Sequence, residues 1–430
     1  MLDAQAGENS QPDRAGRPAV RSGSLYILMQ TTMTNPSLPP EILDCVIDLL
    51  HDEPDALNQC CFASKSWVPR TRRHLFADIQ FRSASNLKSW KKMFPDAANS
   101  PAHHVRTLLV CCPQLVTMSD AEEGGWIQAF SGVTSLSVDN GDWYIDPPEV
   151  SLAPFYGFSP TLKSLRVRTI RLPHTQIFDL IHSFPLLEHL SLSGRTFAVG
   201  NDSNPHGPRT IVPSTSPSFT GSLDLAILGG MWSAASQLLE LPNGLHFRKL
   251  AFLWDHVEDL WWIMELVVRC SHTLESLDIK CAFHRTFGGI CTRTNGLSVL
   301  LVVPELASLN FSKATKLREA VFRPESKSIE WITMALQTIT HEHQAFQRIS
   351  IYVPFHLTLF RVGADMGQYL GETASRWWSD LDQLLVQFWE SRSIRSRVGC
   401  ARQGEAGQST EYCVGCLLPE ATKIGIIDPV

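Results

Sequence analysis

The chain has 430 residues, 44% of them hydrophobic and 19% charged, which is enough apolar material for more than one core and excludes a disordered tail protein. Its 37 Lys and Arg against 43 Asp and Glu leave a net charge of -6, so nothing draws the whole molecule to phosphate backbones or anionic lipid, and neither nucleic acid nor membrane is an expected partner. The longest apolar runs, around 261–268 and 299–303, fall far short of the roughly 18 residues a spanning helix needs.

Residues 1–36 mix Gly, Ser, Gln, Pro and Asp without an apolar period and are expected to form a disordered leader. They lack the basic-then-apolar order of a secretory signal, which predicts a cytoplasmic or nuclear protein. Cys60/Cys61 and Cys111/Cys112 are adjacent pairs, an arrangement disulfide geometry disfavours, so the thiols are expected to be reduced.

Ordered structure is expected from Leu38-Pro39-Pro40-Glu41, where two prolines preset a first helical turn and Glu41 complements its N-terminus. Ile42, Leu43, Val46, Ile47 and Leu50 then lie along one apolar face of a helix that stops before Pro54. A second helix carries Leu57, Cys60, Cys61 and Ala63. Beyond Ser64-Lys65-Ser66-Trp67, Arg70, Arg72 and Arg73 precede Leu75-Phe76. The basic run 70–74 reads as a solvated helix face. Three helices in under fifty residues make a marginal core, so an apolar side of this unit is expected to dock on something else.

From about residue 100 an apolar-x-x-apolar-x-apolar template recurs, each copy long enough for one strand. Its copies begin at Val105, Val133, Leu162, Leu187, Phe247, Leu274, Leu317 and Phe346, with a weaker one at Leu223/Leu225. They are spaced 25 to 33 residues apart except for one step of 43. Helical stretches at 177–184, 257–270 and 329–339 fall between copies, which predicts one strand and one helix per unit, a solenoid. The Ser-, Pro- and Asn-rich segment 201–217 reads as a surface loop. After residue 353 the frame fades, and a helix carrying Trp377, Trp378, Leu381, Leu385 and Trp389 is expected to cap the array. The vicinal pairs Trp261-Trp262 and Trp377-Trp378 are expected to be core residues.

The span 38–81 resembles an F-box: Leu38-Pro39-Pro40-Glu41-Ile42-Leu43, the Val46–Leu50 helix face, Leu57, Trp67 and Arg73-His74-Leu75-Phe76 stand at family positions. The repeats resemble degenerate leucine-rich repeats, in which the Asn expected after each strand is mostly missing. The resemblance implies a three-helix F-box followed by a leucine-rich-repeat solenoid of α/β class, with parallel strands on a concave face and helices outside. The domain plan is a leader (1–36), the F-box (37–81), the solenoid (82–360), and a helical cap and tail (361–430).

It further implies the substrate-recognition subunit of a cullin-based ubiquitin ligase. Leu38, Pro39, Pro40, Ile42, Leu43, Ile47, Leu50, Leu57 and Trp67 would bind the Skp adaptor, and the repeats would hold a protein substrate. Strand residues between the apolar positions would face that substrate, namely Arg166, Arg168, His189, Ser191, Asp278, Lys280, Arg348 and Tyr352. The rival reading is a leucine-rich scaffold with no ligase link.

No catalytic role is expected. The chain contains no G-x-S-x-G, G-x-x-x-x-G-K, G-x-G-x-x-G or H-E-x-x-H. In His341-Glu342-His343 the two histidines are too close in sequence to share one helix face. Cys413-Val414-Gly415-Cys416 has only Cys400 nearby, short of four zinc ligands, so neither metal nor cofactor is expected.

Overall fold

The computed structural model describes residues 39–111, 127–139, 155, 160–168, 174–195, 217, 219–228, 231–241, 243–254, 259–281, 309–324, 329–353, 372–392, 394–400, 418–425 and 427–429. The leader, nearly all of the 201–217 segment, Cys413 and Cys416 lie outside them.

Among the described residues three helices come first: α1 Pro40–Leu49, α2 Pro54–Ala63 and α3 Val68–Leu75. Each has a proline in its first turn, where the fixed φ suits the helix and the missing N–H is no loss. Helices α1 and α2 both pack on α3. Thr71 is fully buried at this junction; it accepts from the Cys61 Sγ at 3.1 Å and donates to the Trp67 carbonyl at 2.6 Å.

Twelve strands follow: β1 Asp78–Phe81, β2 Thr107–Cys111, β3 Ser135–Asp139, β4 Ser164–Arg168, β5 His189–Arg195, β6 Ser222–Leu228, β7 Lys249–Trp254, β8 Ser276–Cys281, β9 Glu319–Arg323, β10 Arg348–Val353, β11 Arg395–Cys400 and β12 Ile427–Pro429. They form one sheet in strict chain order with every pairing parallel. The protein is therefore α/β and solenoid-like. Helices α4 Ala84–Met93, α5 His174–His182, α6 Met231–Leu239, α7 Asp259–Cys270, α8 Glu330–Gln337, α9 Glu372–Arg392 and α10 Pro419–Lys423 lie between the strands.

The register lines the apolar template up across the sheet. Leu108, Leu136, Leu165, Leu190, Leu223, Leu250 and Leu277 stand side by side and continue into Ala320 and Ile349. A second buried row runs from Phe81 and Val110 to Phe322 and Ile351. Both rows join the helices in one core, and α4, α6 and α7 pack on β1, β6 and β7. Parallel sheets covered on both faces read as continuous apolar runs. Here apolar and polar residues alternate, so the helices cover one face and, among the described residues, none covers the other.

The array runs past the boundaries expected from the sequence. Strand β1 lies inside the span assigned to the F-box, and β11 and β12 lie inside the expected cap and tail. These strands are short or poor in the template: β11 offers Ser396 and Val398 to the two apolar rows, and β12 has three residues. Of the tryptophan pairs, Trp378 is buried, whereas Trp261 is more than half exposed. Trp262 and Trp377 are partly buried and pack against the same core, so the second pair is a core pair as expected and Trp261 alone turns outward, neighbours on a helix pointing about 100° apart.

The C-terminal end is tied down by Asp382 of α9, whose buried carboxylate accepts the Glu420 and Ala421 backbone N–H groups, each at 2.9 Å. These are donors that a helix N-terminus leaves without intrahelical partners.

Two outcomes are expected. Leu165→Ala should cost about 2–5 kcal/mol in denaturant unfolding, as for other fully buried leucines; a loss below ~1 kcal/mol would place Leu165 outside the core. Asp382→Ala strands one buried and one part-buried donor and should speed proteolytic cleavage near residues 418–425, read by mass spectrometry, ahead of cleavage elsewhere.

Candidate functional site

Two surfaces carry the residues that the sequence singles out. The first is the N-terminal helical unit. Pro39, Pro40 and Ile42 are exposed, Leu43, Leu50 and Trp67 half-buried, and Leu38 lies outside the described residues. Ile47 and Leu57 are buried and hold the helices together, so they are not free to touch a partner. Of the most exposed apolar groups only Ile42 is among the expected adaptor contacts; Val46, Leu49 and Phe62 are not. Ile42, Val46 and Leu49 are 49%, 47% and 81% exposed, and Phe62 is 84% exposed. Positions 42, 46 and 49 are spaced i, i+4 and i+7, one stripe along α1. Telling that stripe from the Ile47 side requires knowing how the helix is rotated, which apolar spacing alone leaves open.

Asp48 sets that rotation. Its carboxylate receives the Arg70 guanidinium in a two-pronged pair, with Nε at 2.7 Å from Oδ1, and His74 Nε2 lies 2.7 Å from the same oxygen. Residues 70–74 are therefore not simply a solvated face. Arg72 and Arg73 are exposed, but Arg70 and His74 reach back to α1. Arg70 first, and then His74, holds the Asp48 carboxyl far below the usual carboxylate range.

The second surface is the open face of the sheet. Here the register places Arg166, Ser191, Asp224, Ala251 and Asp278 in one row, and Arg168, Ser193, Ala226, Leu253, Lys280, Arg323 and Tyr352 in the next. Arg166, Arg168, His189, Lys280 and Arg348 are exposed, and Ser191, Asp278 and Tyr352 half-buried. Ser350, on the same face, is buried.

The geometry separates residues that looked alike in sequence. Arg168 pairs with Asp139 at 3.7 Å, whereas Arg166 next to it makes no ion pair among the described residues. Arg323 donates to both Asp278 oxygens at 3.3 and 3.0 Å, and its guanidinium lies 4.8 Å from the Tyr352 ring centre. Glu319 accepts from Ser276 at 2.8 Å and meets Arg348 at 3.7 Å.

His189 serves the strand junction. The Ser222 N–H donates to its Nδ1 at 3.1 Å, and its ring occupies space that a Cβ at Gly221 would enter at 2.4 Å.

Asp224, Glu319 and Arg323 were not among the expected site residues. Only the strand register shows that they lie beside the others. Burial pushes the Asp224 carboxyl above its ordinary value, opposed by the hydrogen bond from Ser191 and the charge of Arg166.

The arrangement offers binding groups. Among the described residues no cluster of three metal-ligating side chains occurs, and no helix is long and apolar enough to cross a membrane. His343 is buried, with Nε2 2.7 Å from the Phe311 carbonyl, a structural tie between neighbouring units.

No protein-family model matches the chain, and no curated protein matches it. A solved structure of a Bacteroides fragilis protein aligns over 64% of this chain and 68% of its own at 12% identity, with a TM-score of 0.29, a likeness too distant to inform fold or function.

The Asp48 cluster makes a pH prediction with a definite sign. A depressed folded-state pKa contributes stability above the ordinary Asp value near ~3.9, and the contribution fades as pH falls through that value toward the folded one. Asp48→Asn should therefore lower the melting temperature at neutral pH, and the gap from the unmodified protein should shrink as the pH is lowered below about 3.5. A pH-independent gap in circular-dichroism melts would show that the charge is not responsible.

Proposed function

We propose that this chain is the substrate-recruiting subunit of a cullin-based ubiquitin ligase, with residues 37–81 acting as an F-box that docks the Skp adaptor and the open sheet face holding a protein substrate. The observation that supports this reading is the division of labour in the helical unit. It buries Ile47 and Leu57 inside and leaves Ile42, Val46, Leu49 and Phe62 to solvent. A monomer gains nothing from exposing such groups together, and a partner that covers them does.

Magnitudes say how much of the surface must take part. Covering a large apolar side chain is worth roughly 1.5–3 kcal/mol, against an association cost of about 4–15 kcal/mol. The α1 stripe by itself gives a weak complex, and a tight one also needs Phe62 and the half-buried Leu43, Leu50 and Trp67. The residues proposed for adaptor contact are thus Pro39, Pro40, Ile42, Leu43, Val46, Leu49, Leu50, Phe62 and Trp67, with Ile47 and Leu57 supporting from within. In this role the protein is a cytoplasmic or nuclear binding subunit with no chemistry of its own.

The test is capture of a purified Skp-type adaptor by the full chain. The triple variant Ile42→Ser, Val46→Ser and Leu49→Ser should lose capture by tenfold or more, about 1.4 kcal/mol, while circular dichroism stays unchanged. An unmodified protein that captures no adaptor would overturn the ligase reading and leave a repeat scaffold.

A further inference from the structure

We infer that the open face of the sheet between β4 and β11 is a docking surface for an extended acidic segment of a protein partner, read chiefly by Arg166, Lys280 and Arg397. This names the substrate class for the surface proposed above and rests on that reading for its biological setting only.

The argument is one of charge left over. On the open face of β2–β10 three carboxylates, Asp139, Asp278 and Glu319, have a cation as partner, and the fourth, Asp224, has the neutral Ser191 hydroxyl. Asp139 meets Arg168, Asp224 accepts from Ser191 at 3.1 Å, Asp278 holds Arg323, and Glu319 is shared by Ser276 and Arg348. The cations are not used up in the same way. Arg166, Lys280 and Arg397 are exposed on this face and form no ion pair or hydrogen bond among the described residues, although Asp428 stands level with Arg397 on β12. A chain with net charge -6 thus keeps unpaired positive charge on the one sheet face its helices leave open.

The partners of the paired cations matter as well. Arg323 is held by Asp278 and by the Tyr352 ring, so it is a fixed positive group rather than a free arm. Arg166 stands one strand from Ser191 and two from Asp224, whose carboxylate is turned to Ser191.

Spacing selects the shape of the ligand. Neighbouring strands are about 4.8 Å apart, so Arg166 on β4 and Lys280 on β8 are separated by about 19 Å, and Arg397 on β11 lies about 14 Å beyond Lys280. An extended chain advances about 3.3 Å per residue. A segment of roughly ten residues running across the strands therefore reaches all three, with acidic side chains near its two ends and its middle. A compact anion such as a single phosphate reaches only one.

The probe is a fluorescent ten-residue Glu-rich peptide, compared with its Gln counterpart and with a single-stranded DNA oligonucleotide of equal charge. The full chain should bind the Glu peptide at least tenfold more tightly than the Gln peptide, and the advantage should shrink as salt rises from about 0.05 to about 0.5 M. The variant Arg166→Glu, Lys280→Glu and Arg397→Glu should lose roughly tenfold or more, since three exposed pairs are lost together. The neutral set Arg166→Gln, Lys280→Gln and Arg397→Gln should lose less.

Equal binding of the Glu and Gln peptides, unchanged binding by both variants, or tighter binding of DNA than of the Glu peptide would each overturn the proposal. If charge reversal unfolds the protein, the Gln set decides. Adaptor capture is measured on the same preparations. Peptide binding without adaptor capture would remove the ligase reading alone, and adaptor capture without peptide binding would remove this one alone.

Discussion

The array is held in register by one contact repeated at the start of most strands, the exception at β6 being the Ser222 N–H, which donates to His189 Nδ1 instead. The carbonyl just before a strand accepts two successive N–H groups from the next unit. Arg106 O takes Thr134 and Ser135 at 2.9 and 3.0 Å, and Thr134 O takes Lys163 and Ser164 at 2.8 and 3.0 Å. Lys163 O takes Glu188 and His189, both at 2.8 Å. Beyond β6 the pattern resumes with Gly221, Arg248, Glu275 and Arg318 as acceptors. A buried backbone carbonyl has two lone pairs to satisfy, and this geometry uses both to fix where the next strand begins. Because side chains alternate along a strand, a slip of one residue would turn every leucine of a unit outward.

The same constraint creates the functional face. Once each strand begins level with the last, polar positions of successive units must stand side by side as well. That is how Arg166, Ser191 and Asp224, from three units, come to share one row. Linear order keeps them 25 and 33 positions apart, yet the sheet brings neighbours to about 4.8 Å. The ion pairs Arg168–Asp139 and Arg323–Asp278 both link adjacent strands. Exposed pairs of this kind add little stability; their main effect is to decide which charges are already neutralised.

The sequence made the repeat frame readable because leucine and valine recur where burial is complete, from Leu108 and Val110 to Ile349 and Ile351. It hid β1 and β12 because they are short end strands with one neighbour each, and β11 because it departs from the template, with Ser396 in a leucine slot. In the helical unit the apolar stripe was visible, but its rotation depends on Asp48 meeting Arg70 and His74, contacts 22 and 26 residues away. On the open face the polar positions were legible from alternation. Their pairing was not, since choosing between Arg166 and Arg168 needs the position of Asp139 on the neighbouring strand.

How the two surfaces relate follows from the aromatic joint between them. Phe76 closes α3, and its ring lies 6.0 Å from Trp90 and 6.1 Å from Phe94. Trp90 in turn meets Phe81 of β1 at 5.9 Å and Phe130 at 5.8 Å. Aromatic pairs in edge-on and tilted contact add about 0.5–1.5 kcal/mol each beyond the area they bury, so this cluster ties α3 to the first unit of the array with no intervening linker. A flexible tether would let the helical unit sample many orientations; a packed joint gives it one. In the proposed role, a segment bound across β4 to β11 would therefore lie at a fixed offset from an adaptor on α1, and the reach to a modification site would be set by the substrate's own length.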